Sequence, residues 1–121
     1  MAITKQSVVI LAETNVPAGT SSASPVTGSA VDVRAFAGGE WTYKITNGPS
    51  APTIACTVIL QVSADGTKWF DYYTVGGSLS ANAGNSGSVT MTRGVMYARM
   101  IAYGNATNAV TVESVLQAVE G

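Results

Sequence analysis

Charged residues make up only 11% of this 121-residue chain, against a share of about 25% in ordinary soluble domains. The six Lys and Arg residues are scattered and nearly balanced by seven Asp and Glu residues, which argues against the clustered cations that nucleic-acid binding requires. The sequence has no histidine, so Ser-His and Cys-His nucleophile arrangements are excluded and the commonest metal ligand is missing.

So few charged side chains leave wide stretches of surface to Ser, Thr, Ala, Asn and Gly. One interpretation is a monomer with a neutral, hydroxyl-rich coat. The other is a subunit whose surface lies largely against neighbouring subunits. The net charge of −1 adds little repulsion between copies, so we expect the second. At this length a single domain is the simplest expectation.

The first residues predict an arm followed by a strand. Residues 1–6 are expected to form an N-terminal arm, and Ser7 to Glu13 (SVVILAE) to form a buried strand or one that adds to another subunit's sheet, within a single β-sandwich domain spanning residues 7–121. The apolar stretch is too short for a signal peptide, and no segment reaches the length of a membrane span. We therefore expect synthesis inside a cell without ordinary secretion.

The next third predicts a loop and two strands. Thr14 to Ala30 is rich in Pro, Gly and Ser, which predicts a loop with at most an irregular edge strand. Ala30 to Phe36 alternates weakly, and Gly38-Gly39 predicts a turn. Glu40 to Asn47 (EWTYKITN) then gives the clearest alternation in the chain, with three side chains pointing inward: Trp41, Tyr43 and Ile45.

The stretch from Thr57 to Tyr73 (TVILQVSADGTKWFDYY) predicts a β-hairpin around Asp65-Gly66, because glycine tolerates the positive φ of a tight turn. Alternation along its first arm predicts a core face and an outer face. The core face comprises Cys56, Val58, Leu60 and Val62, and the face toward solvent or a partner comprises Thr57, Ile59, Gln61 and Ser63. The single cysteine, Cys56, is expected to be a buried hydrophobe, and it excludes a disulfide within one chain.

The last third predicts a long loop and three strands. Gly76 to Gly87 (GGSLSANAGNSG) reads as a twelve-residue loop of functional or mobile character, before a strand at Ser88 to Thr92. Val95 to Tyr103 is expected to place Met96, Ala98, Met100 and Ala102 toward the core, and Arg99 outside among tyrosines that it could stack on. In Ala109 to Val119 the alternation shifts near Ser114, which predicts a β-bulge, with a C-terminal helical turn as the alternative.

About eight strands without a convincing amphipathic helix predict an all-β fold, an antiparallel β-sandwich, with the jelly roll as one form of it. The carboxylates give no clear chemistry. The only near pairs are Asp65 with Asp71 and Asp32 with Glu40; Asp65 is explained by the hairpin turn, and Asp71 is explained as a polar strand position. We predict no catalytic, cofactor-binding or metal-binding residue, and we expect the Asn105-Ala106-Thr107 sequon to be a chance match.

The tryptophans raise a carbohydrate-binding alternative, since exposed Trp and Tyr rings stack on sugars. Trp41 lies on the inward side of its strand and is expected in the core. Trp69 follows the hairpin turn, and its side is left open.

Leu60 to Val75 (LQVSADGTKWFDYYTV) resembles the S-x-D-G-x-x-W hairpin of many small β-sandwich proteins, including structural proteins of tailed-bacteriophage virions and discoidin-like modules. In those proteins the motif is architectural, so the resemblance assigns no binding role to Ser63, Asp65, Gly66 or Trp69. The chain departs from a discoidin-like module in its length, and it lacks the cysteine pair frequent there, so that alternative comes second.

As a whole the chain is similar in character to phage capsid decoration or cement proteins. The resemblance implies a virion protein on the capsid surface, forming dimers or trimers and contacting the major capsid protein. From the residues themselves we expect no catalysis and no binding of nucleic acid, membrane or cofactor. The expected contact regions are the arm Met1 to Lys5 and the two loops at 47–52 and 76–87. A phage tail or head-to-tail connector component is the close variant, and a carbohydrate-binding module is the alternative from another class.

Overall fold

The computed structural model describes residues 4–120, which form nine strands in two antiparallel sheets. The predicted all-β sandwich is confirmed. No helix in this described range is long and apolar enough to cross a membrane. The strands are β1 (Thr4–Val16), β2 (Val26–Thr27), β3 (Val31–Asp32), β4 (Phe36–Asn47), β5 (Thr57–Ser63), β6 (Phe70–Gly76), β7 (Gly84–Met91), β8 (Tyr97–Tyr103) and β9 (Val110–Glu120).

The first sheet, sheet A, has the order β1-β9-β4-β7, and sheet B has the order β2-β8-β5-β6 with β3 also paired to β8. Most connections carry the chain from one sheet to the other, so nearly every strand pairs with a strand distant in sequence. The apolar side chains that alternate along the strands meet between the sheets and form one core. Its largest fully buried members include Trp41, Leu60, Met100 and Leu116.

The core of sheet A contains one buried polar link. The Trp41 Nε1–H donates to Ser114 Oγ at 2.8 Å, and the Ser114 hydroxyl donates to the Thr42 carbonyl at 2.7 Å. Ser114 is therefore an inward residue, in phase with Val112 and Leu116, and the predicted phase shift is wrong. The pairing of β1 with β9 does shift register opposite Ser114, but the extra residue of this bulge belongs to β1. The alternative of a C-terminal helical turn is also wrong, because β9 continues to Glu120.

The predicted turn at Gly38-Gly39 is also wrong, because both glycines lie inside β4, where the pairing with β9 shifts register. Gly38 has φ +92°, and a Cβ there would overlap the Met91 carbonyl oxygen of β7. The weak strand predicted from Ala30 to Phe36 shrinks to the two residues of β3.

The predicted twelve-residue loop is shorter than expected, because β7 already begins at Gly84. Gly87 lies where the Tyr43 ring crosses the strand, and a Cβ there would lie 2.6 Å from the Tyr43 hydroxyl oxygen. Glycine thus permits a close approach inside a strand rather than marking a flexible segment.

At the N-terminus β1 begins three residues before the predicted strand. Thr4, Lys5 and Gln6 pair with Glu120, Val119 and Ala118 of β9. The rest of the expected arm, residues 1–3, lies outside the described residues.

The central hairpin is confirmed as the pair β5 and β6, but its strands are joined by a six-residue loop, residues 64–69, and not by a tight turn. Its loop is held by side chains: Ser63 Oγ accepts from the Asp65 and Gly66 N–H groups, and Asp65 Oδ1 accepts from the Thr67 and Lys68 N–H groups. Gly66 takes the positive φ, +80°, that the sequence predicted for the turn.

Candidate functional site

The carboxylates that could have formed a catalytic pair are bound within the fold. Asp65 accepts backbone hydrogen bonds from Lys68 and Thr67, which hold the pKa of its carboxyl well below its usual range. Asp32 pairs with Arg34 at 2.7 Å, and the hydrogen bond from Arg34 lowers the pKa of Asp32 to about 2. Asp71 accepts from Gln61, and Glu40 accepts from Thr90. Each carboxylate therefore has a structural partner.

Residues 4–120 contain no group of three or more Cys, Asp or Glu residues that could hold a metal ion. Cys56 is buried as predicted, and desolvation raises the pKa of its thiol to about 11. A thiol with that pKa is almost entirely protonated near neutral pH, so it is a poor nucleophile.

The sequon asparagine, Asn105, is only 1% exposed. Its amide Nδ2 donates to the Val16 and Asn108 carbonyls at 3.0 Å each. The side chain is thus a structural bridge between β1 and the loop before β9, and its nitrogen is inaccessible in the folded protein.

The two predicted contact loops lie next to each other. The buried Asn47 at the end of β4 donates through Nδ2 to the Ser78 and Ser80 carbonyls, at 2.7 and 2.9 Å. The Asn82 N–H donates to the Gly48 carbonyl across the same junction. The loops at residues 48–56 and 77–83 therefore meet at one end of the sandwich, a juxtaposition that their sequence separation did not reveal.

The outer surface of sheet A carries several hydroxyl side chains on β4, β7 and β9, and we refer to it as the hydroxyl face. Lys44 and Glu113 form its central ion pair, at 3.9 Å between partly exposed side chains. A shallow groove of about 470 Å³ crosses the face and is lined by residues of β4, β7 and β9. The outward Ser and Thr residues of β4, β7 and β9 are Thr42, Thr46, Ser86, Ser88, Thr90 and Thr111.

The outer surface of sheet B has a different composition. The guanidinium carbon of Arg99 lies 4.3 Å from the centre of the Trp69 ring. Arg99 Nε–H donates to Gln61 Oε1 at 2.9 Å, and Gln61 Nε2 donates to Asp71 Oδ1 at 3.0 Å. We call these four residues the arginine–tryptophan cluster. Partial burial lowers the pKa of Arg99.

The cluster confirms part of the sequence prediction. Arg99 does lie on the outer side of β8, while Ala98, Met100 and Ala102 are fully buried. The ring that stacks on Arg99 is that of Trp69, however, and not that of a tyrosine. The Tyr97 ring lies instead under Arg34, with 5.1 Å between its centre and the guanidinium carbon. Met96 is also exposed rather than buried. The sequence did not predict on which face of the sheet Trp69 lies, because Trp69 belongs to the loop between β5 and β6 and strand alternation does not apply there.

No protein-family model matches the chain, and no curated protein sequence matches it. Solved structures do share its fold. The SPBc2 prophage-derived protein YomS aligns with a TM-score of 0.50 at 18% identity, over 99% of this chain and 96% of that one. A chain in the structure of infectious bursal disease virus Gx strain aligns with a TM-score of 0.54 at 10% identity, over 98% of this chain but 32% of that one.

A mitogen derived from Yersinia pseudotuberculosis aligns with a TM-score of 0.42 at 13% identity, over 95% of this chain and 86% of that one. At such identities the likeness concerns the fold. The chain thus has an all-β sandwich fold that is also present in a prophage-derived protein and in a virus structure.

Proposed function

We propose that the chain is a structural protein of a bacteriophage virion, and specifically a non-enzymatic decoration or cement protein on the capsid surface. The observation that carries the proposal is the hydroxyl face. Six of the outward side chains on β4, β7 and β9 are Ser or Thr. The charged outward side chains of these strands are Glu40, Lys44 and Glu113, of which Lys44 and Glu113 form the central ion pair. Hydroxyl groups cost less to bury than charged groups and find new partners readily, so such a face suits contact with another subunit.

The architecture supports the same proposal. The chain shares its fold over almost its whole length with a prophage-derived protein. It also shares its fold with about a third of a longer chain in a virus structure. The strand orders β1-β9-β4-β7 and β2-β8-β5-β6 support the jelly-roll form of the sandwich, an architecture that viral capsid domains use.

We assign the hydroxyl face to contacts between copies of this chain, in a dimer or trimer. With a net charge of −1 and a surface poor in charge, two copies repel each other little. The outer edge of β1 offers a second contact, because it is a 13-residue edge strand with Val9 exposed, to which a partner's strand can add. The other proposed partner is the major capsid protein.

The proposal is tested by light scattering of the purified protein, alone and mixed with empty shells of the phage that encodes it. We expect a dimer or trimer that binds the shells. Ser88→Arg, which puts a charge on the hydroxyl face, should shift the species toward monomer. Ser22→Arg, in an exposed loop, is the matched control and should leave the oligomer intact. A monomer that ignores shells would overturn the proposal.

The same fold would also serve a tail or head-to-tail connector component. Mixing the protein with tails and with empty heads distinguishes the two locations, since a decoration protein binds heads alone. Trp69 on the outer face of sheet B is the observation that favours the carbohydrate-binding alternative. That alternative requires retention on immobilised glycans that Trp69→Ala abolishes.

A further inference from the structure

Arg99 differs from Arg34 and Lys44 in having no carboxylate of its own. Arg34 is neutralised by Asp32 at 2.7 Å, and Lys44 lies 3.9 Å from Glu113. Within the described range, no carboxylate lies at ion-pair distance from Arg99. Arg99 is nevertheless partly buried in the middle of sheet B, where a positive charge without a partner is costly.

The orientation of this guanidinium is fixed on two sides. Its central carbon lies over the Trp69 ring, 4.3 Å from the ring centre, and its Nε–H donates to Gln61 Oε1. Gln61 is fixed in turn by donating to Asp71, and it is only 8% exposed. The two terminal Nη groups have no hydrogen-bond acceptor in residues 4–120, so a fork of N–H donors remains available.

A fixed guanidinium fork matches a planar carboxylate, which accepts two parallel hydrogen bonds from it. Stacking on a ring lowers the entropy cost of binding, because the side chain is already held in one orientation. A neutral sugar would instead need an open aromatic face, and Arg99 already covers one face of the Trp69 ring.

We propose that the arginine–tryptophan cluster binds the carboxylate of an acidic side chain on a partner protein, with Arg99 as the binding residue and Gln61 as the residue that positions it. The identity of that partner as a capsid protein rests on the proposed function. The carboxylate recognition itself is a property of this chain and can be measured without any shell.

The direct test is an NMR titration of the purified protein with sodium acetate at constant ionic strength, following the Arg99 Nε–H and the Trp69 indole N–H. We expect saturable shifts at both groups, with acetate bound at least about tenfold more tightly at Arg99 than at the exposed Arg93. Arg99→Lys keeps the charge but loses the fork, and should weaken acetate binding about tenfold. Arg93→Lys is the matched control and should leave it unchanged.

Two results would overturn the inference: acetate shifts at Arg99 no stronger than at Arg93, or shifts caused by methyl glucoside and not by acetate. The urea unfolding midpoint of Arg99→Lys shows whether the variant is folded.

Shell binding separates this inference from the proposed function. If wild type and Arg99→Lys bind empty shells equally, the cluster has no role in assembly, while the proposed virion role stands. If wild type binds no shells yet acetate binds at Arg99 as expected, the virion role fails and carboxylate recognition stands.

Discussion

The two sheets of the sandwich are stabilised in different ways. Sheet A consists of strands of 13, 12, 11 and 8 residues, and its outer face carries small hydroxyl side chains. In sheet B the central strand β5 has only 7 residues but is buried on both faces: outward Ile59 is 7% exposed and inward Leu60 is 0% exposed. The outer face therefore contributes to the fold in sheet B, whereas in sheet A the outward side chains are half-buried or exposed.

The largest expected effects are the same in both sheets and lie at the inner faces. Leu60→Ala in sheet B and Leu116→Ala in sheet A each remove a fully buried side chain from the common core. Each should lower the free energy of unfolding by about 2 to 5 kcal/mol, through lost burial and the cavity left behind. Urea unfolding of both variants measures this. If one cost were below about 1 kcal/mol, the two inner faces would not form a single core.

The outer faces provide the sharpest contrast. Ile59→Ala removes a side chain that is nearly buried on the outside of sheet B, and we expect a cost of about 2 to 3 kcal/mol. Val115→Ala, at a half-buried position on the outside of sheet A, should cost less than about 1 kcal/mol. Equal costs in urea unfolding, measured in the Ser88→Arg background that should be monomeric, would contradict the difference between the two sheets.

Alternation in the sequence predicted the inner faces well, because the two-residue period of a strand depends only on local backbone geometry. It placed Trp41, Leu60 and Met100 in the core, where they are. It also assigned Ile59 to the outer face correctly, but it could not show that this face is covered. That covering depends on cross-strand neighbours: Ile59 pairs with Ile101 of the distant strand β8 on one side and with Thr74 of β6 on the other.

The glycines were the main source of error, since the same residue serves turns and close approaches. Gly38 and Gly87 lie inside strands because Met91 and Tyr43 come close to them. Those neighbours are about fifty residues away in the chain, so local sequence offers turn chemistry as the only visible explanation. The phase shift predicted at Ser114 was wrong for a related reason. A polar residue at an inward position looks like a break in the alternation, and only its hydrogen bond with Trp41 explains why it is there.

The sequence predicted the position of Arg99 in the arginine–tryptophan cluster but not the ring that it contacts. The period of β8 places Arg99 outside, on the side that also carries Tyr97 and Tyr103. Which ring it contacts depends on the six-residue loop after β5, where Ser63 and Asp65 bind four backbone N–H groups between them. The direction in which Trp69 leaves that loop is a tertiary property.

The buried hydrogen bond of sheet A gives a smaller expected effect. Ser114→Ala leaves the Trp41 indole N–H without its acceptor in a dry core, so we expect a loss of about 1 to 2 kcal/mol. Urea unfolding measures the loss, and Ser88→Ala on the hydroxyl face is the matched control, with an expected change within about 0.5 kcal/mol. Similar values for both variants would mean that the buried link adds nothing to sheet A.

The smallest expected effect is the response of the sheet B hairpin to acid. The Lys68 and Thr67 N–H groups favour the charged form of Asp65, so its pKa is lower in the folded chain than in the unfolded chain. A lowered pKa stabilises the fold fully above the unfolded value, near 3.8, and this stabilisation is lost as the pH falls toward the folded value. The urea midpoint should therefore decrease below about pH 4, and Asp65→Asn should reduce that decrease.

Asp32 contributes over the same pH range, because Arg34 lowers its pKa to about 2. Asp65→Asn should consequently leave a residual acid dependence, and only the double variant with Asp32→Asn should remove most of it. If Asp65→Asn and wild type lost stability equally between about pH 4 and pH 2, the loop would be held by Ser63 and Gly66 rather than by the carboxylate. The orientation of Trp69 would then not depend on the charge of Asp65, and acid would leave the stacking of Arg99 on Trp69 unchanged.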